Sequence, residues 1–379
     1  MYGEPMESAG EGGNDWFVPQ IRVIGLGGGG CNAVDRMITV GIPGVEYIAA
    51  NTDAQSLSVA SAPTRIQLGP QLTRGLGAGG SADVGRRAAE ESEIELREAL
   101  EGADLVFLAA GMGGGTGTGS APVVARIARE LGALTVAVVT CPFAFEGAQR
   151  ARTAQAGLQG LERHVHTLVR VQNDQLLEVA PKDLRLEVAF CVADEVLRQG
   201  IQGITELVTQ AGLINLDFAS VAAVIRHGGN ALMAIGRGDT VQQAAEAALC
   251  HPLLEHALVD RAAALLVHVT GDSEMGLADI DEAMSKIIQR AHPAVDLLFG
   301  VSEDQEIGGR AQVTLIATGI KDPGRESIAV QSLFGVPLPA TEKDDIREEP
   351  EPADVWESLD VPAFMRRREF SGVGTNTRE

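Results

Sequence analysis

Ala103-Asp-Leu-Val-Phe-Leu-Ala-Ala-Gly-Met-Gly-Gly-Gly-Thr-Gly-Thr-Gly119 is the stretch that decides the fold. The apolar run over Asp104 to Ala109 has no polar face, so it reads as a strand buried on both sides, as in a parallel sheet covered by helices. Glycines follow where the chain leaves the strand, and helical spacing resumes after them. A strand, a glycine-rich turn and a helix together make an anion site. Backbone N–H groups can approach an oxyanion closely, and the helix N-terminus adds favourable field. Thr116 and Thr118 add two hydroxyls to that cradle.

Outward from this stretch, short β-branched runs alternate with helical periodicity from residue 21 onward. Strands are predicted at Ile21 to Gly25, Val45 to Ala50, Asp104 to Ala109, Leu134 to Thr140 and Thr167 to Gln172, with helices near 31–40, 82–101, 118–132 and 148–164. Right-handed crossovers then place helices on both faces of a parallel sheet. A second glycine-rich loop, Gly25-Leu-Gly-Gly-Gly-Gly-Cys-Asn-Ala33, leaves the first strand. Gly25, Gly27 and Gly30 satisfy G-x-G-x-x-G, and Asp53 lies near the spacing of a ribose-binding acid, so a dinucleotide-binding Rossmann domain of an oxidoreductase competes. Such a domain has no use for the loop at 111–119, and that loop lacks the Lys of a P-loop NTPase.

Composition narrows the classes further. The chain has 379 residues, 45% hydrophobic but only 4% aromatic, which suits a layered α/β core of Ala, Val, Leu and Ile. A formal net charge of −22 disfavours nucleic acid and anionic membranes as partners of the body of the protein. Cys31, Cys141, Cys191 and Cys250 lie far apart, so they read as small hydrophobes in a reducing cytoplasm, with no disulfide framework or zinc site. No apolar run reaches the length of a membrane span, so no direct membrane insertion is expected. From Leu186 to Ala211 apolar residues recur at spacings of three to five, predicting one long amphipathic connecting helix. A smaller α/β domain follows, with strands near 231–236, 264–270, 295–301 and 312–319 and helices near 217–228, 240–250 and 276–291. The predicted organisation is an N-terminal extension over 1–20, a Rossmann-like parallel-sheet domain over 21–185, the connector over 186–214 and the second domain over 215–322. An acidic, disordered linker then spans 323–358, and a terminal peptide and tail spans 359–379.

Gly113-Gly-Gly-Thr-Gly-Thr-Gly119 resembles the signature loop of the tubulin/FtsZ superfamily. The segments Asn51-Thr-Asp-Ala-Gln-Ser-Leu57, Gly75-Leu-Gly-Ala-Gly79, Pro142-Phe-Ala-Phe-Glu-Gly147, Asn173-Asp174 and Asn215-Leu-Asp-Phe-Ala219 are similar to the FtsZ family of bacterial cell-division proteins in order and spacing. The similarity runs from about Ile21 to Ile320, and Leu359 to Arg368 is similar to the family's C-terminal peptide. The resemblance implies a GTP/GDP site with magnesium bound through the nucleotide and no set of protein side chains devoted to the metal. Gly28, Gly29 and Asn32 would lie near the α- and β-phosphates. Gly113, Gly114, Gly115, Thr116, Gly117, Thr118 and Gly119 would cradle the β- and γ-phosphates, with Asp53, Ala78, Gly79 and Gly80 bordering the γ-phosphate. Glu146 and Arg150 would hold the ribose. Asn173 and Asp194 would read guanine, with Phe190 stacking on the ring; an unpaired Asp194 on the helix's apolar side would need a partner.

The same resemblance implies a head-to-tail homopolymer at the division site in the cytoplasm, with hydrolysis completed by acids of the next subunit. Asn215 and Asp217 match that acid-bearing loop, whereas Ser220 stands where a second Asp is expected. A serine is uncharged near neutral pH and polarises water poorly, which predicts weak or absent hydrolysis and leaves GTPase activity open. A non-catalytic paralogue that regulates or copolymerises with a catalytic FtsZ is the alternative. A second departure lies over Arg226 to Gly236, on the expected longitudinal interface. Leu359, Phe364, Arg366 and Arg367 are the expected contacts of the terminal peptide with membrane tethers and regulators of the division ring.

Overall fold

The computed structural model describes residues 19–42, 44–179, 186–209, 213–214, 216–250, 261–272, 275–304, 307 and 309–320. The sequence readings for the N-terminal extension before residue 19, for Asn215, for the acidic linker and for the terminal peptide lie outside these residues. In chain order the first half comprises β1 (Ile21–Leu26), α1 (Gly27–Val40), β2 (Val45–Asn51), α2 (Ala54–Ser58), β3 (Thr64–Gln67), α3 (Pro70–Thr73), α4 (Ala82–Glu91), α5 (Glu93–Leu100) and β4 (Leu105–Gly111). It continues with α6 (Thr116–Glu130), β5 (Leu134–Cys141), α7 (Ala148–Glu162), β6 (Thr167–Gln172) and α8 (Asn173–Val179). After α9 (Leu186–Thr209) come α10 (Phe218–Arg226), β7 (Gly229–Gly238), α11 (Val241–Leu249), β8 (Ala264–Gly271), α12 (Leu277–Arg290), β9 (Asp296–Glu303) and β10 (Ala311–Ile320).

The strands form one sheet in the order β3-β2-β1-β4-β5-β6-β7-β10-β8-β9. All pairs from β3 to β7 are parallel, β10 is antiparallel to both neighbours, and β9 is parallel to β8. Alternation along the strands divides the core between two faces. Val23, Phe107, Ala109, Val136 and Val138 meet α1, α9 and α10, while Ile24, Val106, Leu108, Ala137 and Val139 meet α4, α6 and α7. A third cluster joins β8 and β10 to α11 and α12. The division predicted near 186–214 thus falls inside one continuous sheet, and the core cluster on the α1, α9 and α10 face holds residues of both halves, from Val23 and Phe107 to Met233, Leu266 and Ile316.

Three local readings change. The helix predicted over 82–101 is two helices, because the hydroxyl of buried Ser92 donates to Gln67 O at 3.2 Å and accepts from Gly69 N at 3.1 Å, docking the chain on β3 at the break. The helices predicted from 31 and 118 begin earlier, at Gly27 and Thr116, since glycine occupies the first turn of each. Cys250 is exposed and Cys191 half-buried, so only Cys31 and Cys141 behave as core residues; all four are free thiols.

Helix α9 connects the two edges of the sheet. Near its start, Phe190 packs edge-on against Phe143, which follows β5, with ring centroids 5.4 Å apart. At its end the Thr209 side chain comes beside Gly44, which precedes β2. Phe190 therefore lies at the edge where the parallel strands end, and Thr209 at the edge where they begin. Gly200 and Gly203 let the helix lie close on Met233 of β7 and Thr314 of β10.

Candidate nucleotide site

Parallel pairing gathers the loops. The register sets Leu26 against Ala110, Gly111 against Thr140 and Cys141 against Gln172, so β1, β4, β5 and β6 end along one row. The strand order reverses between β1 and β4, and crevices outside the carboxyl ends at such a switch point are the ligand sites of open α/β sheets. Both glycine-rich loops leave the sheet there.

The structure sorts the glycines by what surrounds them. A side chain at Gly25 or Gly30 would collide with the Gly30 or Ala109 carbonyl, and Gly27 has φ +68°. Of these three matches to the dinucleotide fingerprint, Gly25 and Gly30 serve close packing of α1 on β1 and β4, while Gly27 lies against Thr116 and Gly117 of α6. Gly28, Gly29 and Asn32 are exposed, and open space surrounds the Gly28 α-carbon. In the other loop, Gly114 is open, whereas Gly113 has φ +97° and sits against Arg150 and Pro142. A side chain at Gly115 would meet Ala78 Cβ at 2.8 Å, and one at Gly117 would meet Gly111 O at 2.7 Å. Gly119 faces the Ala82 carbonyl of α4 and serves helix packing.

Thr118 is buried, and its Oγ1 accepts from Gly113 N at 2.8 Å, so this hydroxyl holds the loop's own shape. Thr116 Oγ1 lies 2.6 Å from Thr52 Oγ1, tying the loop to the end of β2. Neither α1 nor α6 has a side-chain cap or an acidic residue in its first turn. The first N–H groups of both helices have no intrahelical acceptor, and among the described residues no cap or first-turn acid offsets their partial positive charge.

Asp53 caps α2, its Oδ1 accepting from Gln55 N at 2.9 Å and Ser56 N at 3.1 Å. That cap engages Oδ1 and fixes the carboxylate beside the end of β2. Asp53 pairs in a β-bridge with Leu76, which brings the 76–81 loop beside it; there Ala78 is buried and Gly79 and Gly80 hold positive φ in open space. Glu146 accepts from Phe143 N at 2.9 Å through Oε1, and its Oε2 pairs with Arg150 one helical turn on. Asp174 accepts from Ala144 N at 2.9 Å, which ties the same turn to α8.

Asn173, the first residue of α8, is buried, and its Oδ1 has no hydrogen-bond partner. A buried orphan acceptor costs about 1–3 kcal/mol, so an amide held there fits a ligand that donates to it. On α9, Phe190 and Asp194 are four residues apart and share a face. Asp194 faces Arg36 of α1 as an ion pair, Nε to Oδ2 at 3.4 Å, without a hydrogen bond from that Nε. Burial still pushes its carboxyl up to about 6, with Arg36 opposing the rise. Sequence reading missed Arg36: it is an unremarkable polar position of α1 whose partner is distant in the chain.

The anticipated acid loop is elsewhere. Asp217 is exposed and caps α10, accepting from Ser220 N at 2.7 Å, and hydrogen bonds from the Ser220 hydroxyl and N–H hold its carboxyl below the usual range. It lies beyond the C-terminal end of α9, where Ile214 bridges to Val301 of β9 and Leu216 and Leu207 both meet Gly300.

The comparisons agree with this architecture. The tubulin/FtsZ family GTPase domain matches residues 20–181, and the FtsZ family C-terminal domain matches residues 229–321. The structure is similar to an empty FtsZ dimer of M. jannaschii at 43% identity and a TM-score of 0.77, covering 80% of this chain and 89% of that one. CetZ2 of Haloferax volcanii, solved as a GTPγS-bound protofilament, shares the fold at 20% identity and a TM-score of 0.70 over 83% of this chain and 96% of its own. Two open glycine loops at the switch point, an FtsZ-type second half and this degree of identity make the chain a member of the FtsZ family within the tubulin/FtsZ superfamily.

Proposed function

We propose that this chain is a GTP-binding, filament-forming cell-division protein whose hydrolysis is weakened by Ser220. The carrying observation is the separation made by α9. From Phe190 to Thr209 the helix rises about 28 Å at 1.5 Å per residue. A general base must come within hydrogen-bond reach of the water it activates. Asp217 cannot reach the nucleotide edge of its own subunit, so it serves the nucleotide of a neighbour stacked head to tail. The FtsZ solved as a dimer and the CetZ2 solved as a protofilament are consistent with that arrangement.

In this reading the open N–H groups of Gly28, Gly29 and Gly114 and the first turn of α6 bind phosphate oxygens. Asn32 lies near the first phosphates, Gly79 and Gly80 leave room for the last, and Glu146 with Arg150 flanks the ribose. Asn173, Phe190 and Asp194 recognise the base. Magnesium enters with the triphosphate and offsets its charge, with Asp53 nearby. Thr118, Gly117 and Gly119 shape the cradle. Asp217 and Asn215 contribute to water activation, while Ser220 supplies no second carboxylate. Ser220 favours one further reading, a paralogue that copolymerises with a catalytic FtsZ.

Phosphate release and pelleting, measured together on the purified protein with GTP and magnesium, test the proposal. Pelleting with little release is expected. Brisk release overturns the weakened-hydrolysis reading, and absence of pelleting overturns self-assembly. Tethering at the division site through Leu359, Phe364, Arg366 and Arg367 belongs to the same reading. Phe364→Ala should abolish binding of the terminal peptide to a division-ring tether in a titration; unchanged affinity removes that role.

A further inference from the structure

The base subsite contains one element that the glycine loops do not explain. Asn32 and Arg36 occupy one face of α1, and Phe190 and Asp194 occupy one face of α9, each pair four residues apart. Arg36 bridges the two helices. Its Nη2 donates to Cys191 Sγ at 2.8 Å, and its Nε lies 3.4 Å from Asp194 Oδ2. The Asp194 side chain is only 14% exposed, beside a cluster in which Phe143 stacks on Phe145 at 4.9 Å and meets Phe190 edge-on. A carboxylate in such surroundings loses solvation and is driven toward its neutral form unless a fixed cation opposes this.

The other charged groups near this cluster are engaged elsewhere. Glu195 on α9 accepts from Arg198 and Gln199. Asp174 on α8 accepts from Ala144 N, and Asp35 on α1 accepts from Ser61 N. Arg36 is the charged group that acts on Asp194. The chemistry of the base gives this pair a consequence. Guanine presents N1–H and an exocyclic amine, two donors that a carboxylate can accept together, whereas the corresponding edge of adenine carries an acceptor at N1. A neutral carboxyl would lose much of that discrimination.

We propose that Arg36 is the positioning residue of the base subsite, fixing Asp194 as a charged acceptor and thereby setting the preference for guanine over adenine. The inference rests on the reading of Asp194 as the base-recognising residue.

The test is the ratio of GTP to ATP affinity across pH, read by fluorescence titration on the full chain; the two nucleotides' phosphates titrate alike, so the ratio isolates the base. In the unsubstituted protein the ratio should fall as pH drops through about 6, where Asp194 protonates. Arg36→Met should move that midpoint upward by about one unit or more and lower the ratio at neutral pH about tenfold. Arg36→Gln, which keeps a donor for Cys191 without the charge, should shift the midpoint the same way and serves if the Met variant does not fold. An unshifted midpoint in either folded variant overturns the proposal, even if affinity falls uniformly, since that would mark a merely structural role. Asp194→Asn separates the two layers. If it abolishes the preference for GTP while Arg36 variants do not, only the role of Arg36 fails; if it leaves the preference intact, the reading of the base subsite fails with it.

Discussion

The two ends of α9 differ in what their polar groups lack. Around Phe190, polar groups are left incomplete: Asn173 Oδ1 has no partner, the first turns of α1 and α6 have no caps, and Gly28 and Gly114 face open space. Beyond Thr209, Asp217 takes up the Ser220 N–H at 2.7 Å, and Ser220 stands in the expected place of an acid. In the proposed reading one end leaves groups for a nucleotide to complete, whereas the carboxylate of the acid loop at the other is already engaged by its own helix. On the proposed function, binding and hydrolysis depend on different ends of α9, so a change at one need not alter the other.

The sharpest way to break that contrast is Ser220→Asp. It should raise phosphate release about 10²-fold, the lower range of general-base effects, without changing nucleotide affinity. A flat rate would mean that the acid loop is not what limits turnover. The two kinds of glycine come next. Gly30→Ala forces a methyl group into the Ala109 carbonyl and should cost about 1–3 kcal/mol in a denaturant melt, while Gly28→Ala should leave the melt unchanged and weaken GTP binding. Equal melts would erase the division between packing and binding glycines. Phe190→Ala should weaken GTP binding about tenfold by titration, since base–aromatic stacking contributes about 1–3 kcal/mol per base. The smallest effect concerns Asp217, whose carboxyl is held low by its bonds to Ser220. A depressed carboxyl contributes stability above its unfolded pKa and loses it as pH falls. Ser220→Ala removes one of the bonds and should move the acid limb of residual turnover slightly upward; no movement would show that the N–H alone holds Asp217.

Much of this was readable in the chain. The run Ala103 to Gly119 has no polar face and then a string of glycines, so strand, loop and helix follow from burial and backbone freedom alone. The α9 pattern was equally plain, because spacings of three to five fit only one periodicity over 24 residues. By contrast, β3 (Thr64–Gln67) is four residues of mixed polarity at a sheet edge, where pairing with β2 decides and local pattern does not. The break at Ser92 depends on hydrogen bonds to Gln67 and Gly69, which no helical periodicity encodes.

The sequence by itself determined the parallel sheet, the two glycine-rich loops at strand ends and a serine at position 220, where the family resemblance leads to an acid. Each depends on local residue type: continuous apolarity, lack of a β-carbon, or lack of a charge. The tertiary structure decided which glycines pack and which stay open, which threonine shapes its own loop, that Asp53 caps α2, and that Arg36 reaches Asp194. These depend on what lies across a helix or strand, and such neighbours are brought together by the sheet's register and by the path of α9, with no trace in the spacing of the residues along the chain.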